Sequence, residues 1–335
     1  MLRASKPENL SYPLKIVEGT ITRPNLFFVR DHFDEPEVSL DRWNLRIDGA
    51  VARPFELGFS DLAEMPSKKI RAVLECAGNA AGGSAVSCGE WEGVPLSMLL
   101  ERSQPSADAA FVMLEGADSG RLFQDSPPLP YSQIVPIAKC REPESLIAYK
   151  LNDLTLPARN GFPARALFPG WYGMDSVKWL QRITVLRPSD RGTIFQQSGM
   201  NRIYNRVARV NGALRTTRLS GIQVKSAVAW PSDGAKLPAG KHVIWGFAWS
   251  GAEAIRTVSA SLDGGRNWSN AGLENRPDTY GWVRWRYEWS AQPGDYILMS
   301  RASDQGGNTQ PLTRDPARRD GYELNWCVPL HCSVR

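Results

Sequence analysis

Histidine is almost absent from this chain: three occur in 335 residues. Cysteine is scarce as well, with five scattered at 76, 88, 140, 327 and 332 and no Cys-x-x-Cys pair. That pattern builds neither a disulfide framework nor a zinc finger. Cys327 and Cys332 pair only if local geometry allows. No Cys-x-x-Cys-His occurs, so covalent haem attachment of that type has no support. Neither a GxGxxG fingerprint nor a P-loop is present, which removes the usual dinucleotide and NTPase readings. No apolar run reaches membrane-spanning length. The stretch MLRASKPENLSYPLKIVEGTITRPN lacks an apolar core and a twin arginine. The expectation is a soluble chain, cytoplasmic as written and periplasmic if a signal has been removed. Single-sign charge blocks are missing too. The 40 basic and 35 acidic residues are well mixed and leave a net +5, so no nucleic-acid partner is implied.

What is present suggests two domains. Residues 1–218 mix signals. Trp43 to Asp48, 110–115 and 177–185 read as strands. Residues 60–65 read as a short helix entered through Ser60, and 94–101 as another with Pro95 tolerated early. The segment from Arg187 to about Leu219 is polar and Arg-rich, and reads as a long crossing connection. Residues 219–335 read differently. Strands at 222–228, 241–249, 258–262, 282–289 and 296–302 recur at sandwich spacing, with Asp263-Gly264-Gly265 as a hairpin turn. Trp230, Trp245, Trp249, Trp282, Trp285 and Trp289 fall in this part. Their spacing suits a sheet core and an interface rather than a nucleic-acid stacking surface. The fold class expected is α+β: a mixed domain followed by an all-β, immunoglobulin-like sandwich.

Cys76 is the residue with the most pointed setting. It ends a short apolar run, Arg71-Ala-Val-Leu-Glu-Cys76, and precedes Ala-Gly-Asn, a turn whose Gly and Asn tolerate positive φ. A thiol at the mouth of such a turn suits a soft metal or a reactive thiolate. A buried structural cysteine is the plain alternative.

Leu74-Glu-Cys-Ala-Gly-Asn79 resembles the Cys-Ala-Gly-Asn motif of the sulfite oxidase family of molybdenum enzymes. Other segments follow in the family's order. They are Asn25-Leu-Phe-Phe-Val-Arg-Asp-His32, Trp91-Glu-Gly-Val-Pro-Leu96, Leu114-Glu-Gly-Ala-Asp118, Asn160-Gly-Phe-Pro-Ala-Arg165 and Ser176-Val-Lys-Trp-Leu180. Gly246-Phe-Ala-Trp-Ser-Gly251 and Val258-Ser-Ala-Ser-Leu-Asp-Gly-Gly265 are similar to signatures of its C-terminal dimerisation domain. The resemblance implies a molybdopterin-binding catalytic domain over 1–218 and a dimerisation domain over 219–335. It points to the haem-free branch, with molybdenum and molybdopterin as cofactor and Cys76 as the protein's metal ligand.

The same resemblance implies a set of site residues. Phe27, Phe28, Val29, Arg30, Asp31 and His32 lie against the pterin and substrate. Asp118 accepts hydrogen bonds from the pterin. Asn160, Arg165, Ser176, Val177 and Lys178 hold the cofactor, with Arg165 and Lys178 as cations for its phosphate end. Asn160 stands where the family commonly has histidine. Cys76, Arg30 and Tyr204 are the catalytic candidates, Tyr204 being the phenol nearest the expected position at Met200.

The resemblance weakens at the substrate end. Arginines usually follow Cys-Ala-Gly-Asn, where this chain has Ala80 and Ala81. Another usually stands at the position of Asp175, and a third falls near Asp320, beside Arg318 and Arg319. Sulfite is close to a dianion at neutral pH and needs cations. The function expected is therefore two-electron oxygen-atom transfer at molybdenum on a small-molecule substrate that need not be sulfite. An external electron carrier such as a c-type cytochrome and a homodimer complete the reading. A reductase of S- or N-oxides and a non-enzymatic molybdopterin-binding or interaction protein are the alternatives.

Overall fold

The computed structural model describes residues 2–5, 7–122, 124–190 and 203–335. Strands dominate; the α-helices among the described residues are short, at Phe59–Glu64, Leu96–Ser103 and Ile137–Cys140. None is long and apolar enough to cross a membrane.

The first half is built on two sheets. One runs in the order Phe55–Gly58, Asn44–Gly49, Leu180–Leu186, Phe111–Gly120, Leu129–Pro136. Its pairs are antiparallel except Asn44–Gly49 against Leu180–Leu186, which is parallel. The other places Lys68–Glu75 beside Val86–Pro95 and then Leu146–Leu151. Leu45, Ile47, Val112, Ile183 and Val185 alternate inward from the first sheet to meet Val94, Ile147 and Phe168 in a common core. Such period-two alternation is what a half-buried strand requires. Lys68–Glu75 is covered on both faces: Val73 belongs to one apolar cluster and Ala72 with Leu74 to another.

The second half is a sandwich. Lys225–Trp230, Gly240–Trp249 and Val283–Ala291 form one sheet with the short Gly272–Leu273. Leu330–Val334, Gly294–Asp304 and Ile255–Ser261 lead the other. Ile244, Val258, Val283, Trp285, Trp289 and Leu298 fill the space between them. A separate cluster joins the halves, with Val73, Ala77, Cys88 and Tyr172 packing on Phe247, Trp249 and Trp282. Trp285 and Trp289 thus fill the sandwich core, while Trp249 and Trp282, with Trp245 packed against them, join the two halves.

Four local expectations are corrected. The first helix starts at Phe59 from Gly58, not through Ser60, because the Asp61 carboxylate reaches back to accept the Gly58 N–H at 2.8 Å. The second starts at Leu96, because Val94 is still paired with Ile147 in the sheet and Pro95 ends that strand. The strand expected over 177–185 begins only at Leu180, after Trp179 turns the chain at φ 48°. The crossing segment contains a hairpin, Asn205–Val210 and Ala213–Arg218, around Asn211 and Gly212 at φ 50° and 80°. Its strands bury no complete face, which is why their periodicity is weak. Asn-Gly, the strongest short hairpin signal, is nevertheless there to be read. Met200 lies outside the described residues.

Candidate active site

Cys76 sits where Lys68–Glu75 ends, and its surroundings hold it in place. Its N–H donates to the Ala85 carbonyl at 3.0 Å, and its own carbonyl accepts the Asn79 N–H at 2.8 Å. The Asn79 side chain is buried and closes the loop, accepting the Ala85 N–H at 2.9 Å and donating to Glu75 Oε1 at 3.0 Å. Glu75 is buried completely. Its other oxygen accepts the Trp249 indole N–H at 2.8 Å, and it is ion-paired with Lys225. Two strands of the sandwich therefore grip the residue beside the thiol.

Cys76 opens onto a cavity of about 510 Å³. That is the size range of small-molecule and cofactor sites. Phe27, Phe28, Val29, Arg30, Asp31, His32, Asp118, Asn160, Arg165, Ser176, Lys178 and Tyr204 all line it with Cys76. Val177 does not. Its side chain lies in the main core, its N–H donates to the Asp175 carbonyl, and its carbonyl accepts the Ala166 N–H. Val177 is thereby corrected from a cofactor contact to the core residue between Ser176 and Lys178.

The polar groups are arranged by the loops that carry them. The Arg165 guanidinium is buried; it donates to the carbonyls of Asn160 at 2.9 Å and Ser176 at 2.7 Å, tying two cavity-lining segments together. Burial pulls its pKa down to about 10. Ser176 Oγ accepts the Phe168 N–H at 3.1 Å. Lys178 is ion-paired with Asp31 and donates to the Arg159 carbonyl at 2.7 Å. Burial lowers the Lys178 pKa and raises that of Asp31, each opposed by the other's charge. Asp118 is pushed up to about 7 by burial, with Lys178 opposing. Burial, and then Arg30, lower the pKa of His32.

Several buried side-chain atoms in this wall have no partner among the described residues: Asn9 Oδ1, Asp31 Oδ2, His32 Nδ1, Asp118 Oδ1 and Asn160 Oδ1. Leaving such a group unsatisfied costs about 1–3 kcal/mol each. Their gathering on one cavity marks a place for a ligand rich in hydrogen-bond donors. Most are acceptors, as the N–H edge of a pterin would need, and Arg159, Arg165 and Lys178 suit its phosphate. Among the described residues no group of three His, Cys, Asp or Glu stands together to hold a metal. A metal at Cys76 would bring its other donors with it, as a dithiolene-bound molybdenum does. The residues present fit that cofactor.

The thiol end of the cavity is different. Ile203, Tyr204 and Tyr322 line it beside Cys76 and Arg30. Burial pushes Tyr204 up to about 12, opposed by Arg30 and reinforced by Cys76. Ala80 and Ala81 do not line the cavity, and Asp175 is ion-paired with Arg218 behind it. Arg318 is also absent from the lining, being paired with Asp320 and Glu323. Asn9, Tyr131, Arg159 and Tyr322 join the wall without having been singled out in the sequence. Tyr322 has no local signal, since it reaches Cys76 only through the fold.

Fold and site together define a molybdopterin-dependent oxidoreductase. An oxidoreductase molybdopterin-binding domain model matches residues 32–194, and a Mo-co oxidoreductase dimerisation domain model matches 217–318. The chain is 31% identical to the sulfite oxidase of Gallus gallus, over 92% of this chain and 72% of that protein. It is 30% identical to the mitochondrial sulfite oxidase of Homo sapiens, over 94% of this chain and 62% of that one. The crystal structure of the sulfane dehydrogenase SoxCD from Paracoccus pantotrophus superposes with a TM-score of 0.85 at 27% identity, covering 98% of this chain and 85% of that chain. This chain belongs to the sulfite oxidase family of molybdenum oxidoreductases.

Proposed function

We propose that this protein catalyses two-electron oxygen-atom transfer on a small sulfur or nitrogen compound, with Cys76 as the thiolate ligand of molybdenum. The observation that carries the reading is the convergence of Cys76 and five unpartnered polar atoms on one cavity. When bound, the cofactor supplies the redox couple and the Lewis acid. The chain supplies the rest. Asp118, Asn160 and Asn9 accept hydrogen bonds from the pterin, while Arg159, Arg165 and Lys178 face its phosphate. Phe27, Phe28 and Val29 exclude water on the apolar side. Arg30 and Tyr204 attend the substrate oxygen beside the thiol. Residues 1–218 form the catalytic unit and 219–335 the unit through which two copies associate. No haem is assigned to these residues, and an external carrier such as a c-type cytochrome takes or delivers the electrons. The compartment is cytoplasmic, or periplasmic where an export signal precedes the mature chain.

The test is metal and pterin analysis of the purified protein, followed by turnover of sulfite and of S- and N-oxides with artificial electron carriers. One molybdenum per chain is expected. Cys76→Ser should lose the metal or all turnover, and an active Cys76→Ser protein would sink the ligand assignment.

A further inference from the structure

Tyr322 and Glu323 return from beyond the sandwich strand Gly294–Asp304 to the edge of the cavity. They are anchored on the cysteine turn itself: the Glu323 N–H donates to the Ala77 carbonyl at 2.9 Å. This lays the Tyr322 ring over Gly78, within 3.9 Å of where a Cβ would stand. The Tyr322 and Tyr204 rings lie 5.8 Å apart, and both line the cavity with Cys76. Two elements far apart in sequence thus place two phenols at the reacting end.

Among the described residues, the arginines nearby are withheld from that end. Arg206 and Arg318 are both paired with Glu323, Arg318 also with Asp320, and Arg218 with Asp175. All three carboxylates are almost fully buried, and none of the three arginines lines the cavity. Among cations that do line it, Lys178 is engaged by Asp31, Arg165 by backbone carbonyls, and Arg159 faces Glu8 at 3.8 Å. Arg30, which donates to the Asp31 carbonyl, is the remaining cation among the described residues of the lining that holds both phenols. A buried dianion met, among the described residues, by that one cation loses roughly two to three orders of magnitude in affinity relative to a fully paired one. An uncharged oxide needs only hydroxyl donors, which a phenol provides.

On this basis, and resting on the function proposed above, we propose that Tyr322 is a specificity-determining residue of the substrate end. With Tyr204 it selects a substrate whose oxygen is carried on an uncharged sulfur or nitrogen, such as a sulfoxide or N-oxide, over a sulfite-type dianion. The network of Arg206, Arg318, Asp320 and Glu323 is what holds Tyr322 there.

The test uses the holoprotein and two probes that do not react, dimethyl sulfone (uncharged) and sulfate (dianion), with binding followed by calorimetry. The native protein should prefer the sulfone. Tyr322→Phe keeps the ring and removes the hydroxyl; it should weaken sulfone binding about five- to tenfold and leave sulfate unchanged. The turnover assay uses reduced viologen as the electron donor. The sulfoxide takes up two protons and two electrons, its sulfur–oxygen bond breaks, and the thioether and water leave. In that assay the same variant should raise KM for a sulfoxide with kcat within about threefold. Tyr322→Arg should reverse the probe preference. A native protein that prefers sulfate, or a Tyr322→Phe protein with unchanged sulfone affinity, overturns the proposal. Molybdenum content measured on the same samples separates this failure from failure of the redox reading.

Discussion

Lys225→Met is the sharpest single perturbation of this fold. Lys225 and Glu75 keep 2% and 0% of their side-chain surface exposed, so the pair has no solvent to fall back on. Removing the ammonium leaves a buried carboxylate held, among the described residues, by the Trp249 indole and the Asn79 amide. Breaking a buried pair by removing one partner costs about 3–5 kcal/mol. At about 2 °C per kcal/mol for a chain of this size, the melting midpoint should fall by roughly 6–10 °C. The double variant Glu75→Leu/Lys225→Met removes the stranded charge. It should recover about 1–3 kcal/mol of that loss, short by about 1 kcal/mol for each of the two donors left without an acceptor. Circular dichroism melts of the three proteins at one pH and salt concentration are the assay. The damage should reach the site as well, because Glu75 is bonded to the residue that closes the Cys76 loop; the single variant should retain less molybdenum. If Lys225→Met melts within about 2 °C of the native protein, or the double variant melts below the single one, the pair is not the clamp described.

Other outcomes follow from named contacts. Burial raises the Asp175 pKa to about 6 from 3.8, despite Arg218. The folded chain therefore holds a proton that the unfolded chain releases. Its stabilising contribution is fully present below pH 3.8 and is lost as pH rises through about 6, a change of about 3 kcal/mol. Asp175→Asn should flatten the dependence of stability on pH between about 4 and 6.5, and melts at both ends would show it; an unchanged slope would remove Asp175 as its source. Gly93→Ala places a Cβ 2.2 Å from the Ile147 carbonyl oxygen, inside the strand pair that backs the cavity. Backbone cannot yield there as a side chain can, so a loss of at least about 3 kcal/mol or insoluble expression is expected. Ordinary solubility with a native melt would show that the two strands can separate.

The strands with alternating apolar residues, such as Asn44–Gly49 and Gly240–Trp249, are legible because one buried face leaves a period of two in the sequence. The strands of the Arg-rich hairpin leave no such period, and only its Asn211-Gly212 turn is legible, because its stability comes from that turn and from bonds such as Arg319 N–H to the Val207 carbonyl rather than from a buried face. The site divides the same way. Cys76, Asp118, Asn160, Arg165 and Lys178 lie in short motifs and all stand in the cavity wall. Val177 does not, because a motif names positions without saying which way each side chain points.

Local chemistry along the chain therefore determined the two-part architecture and the thiol on its turn, while the polar residues that suit a pterin were implied by the motifs' resemblance to the sulfite oxidase family. Only the tertiary structure decided what the thiol faces. Whether an arginine serves a substrate or a buried carboxylate depends on which side chain the fold brings within bonding distance. Arg206, Arg218 and Arg318 look alike in the sequence, and each is claimed by a buried acid, for Arg206 and Arg218 one from a distant segment. Tyr322 likewise becomes a neighbour of Cys76 only because Glu323 is bonded to the cysteine turn. Charge pairing of this kind is a property of packing, and no local pattern records it.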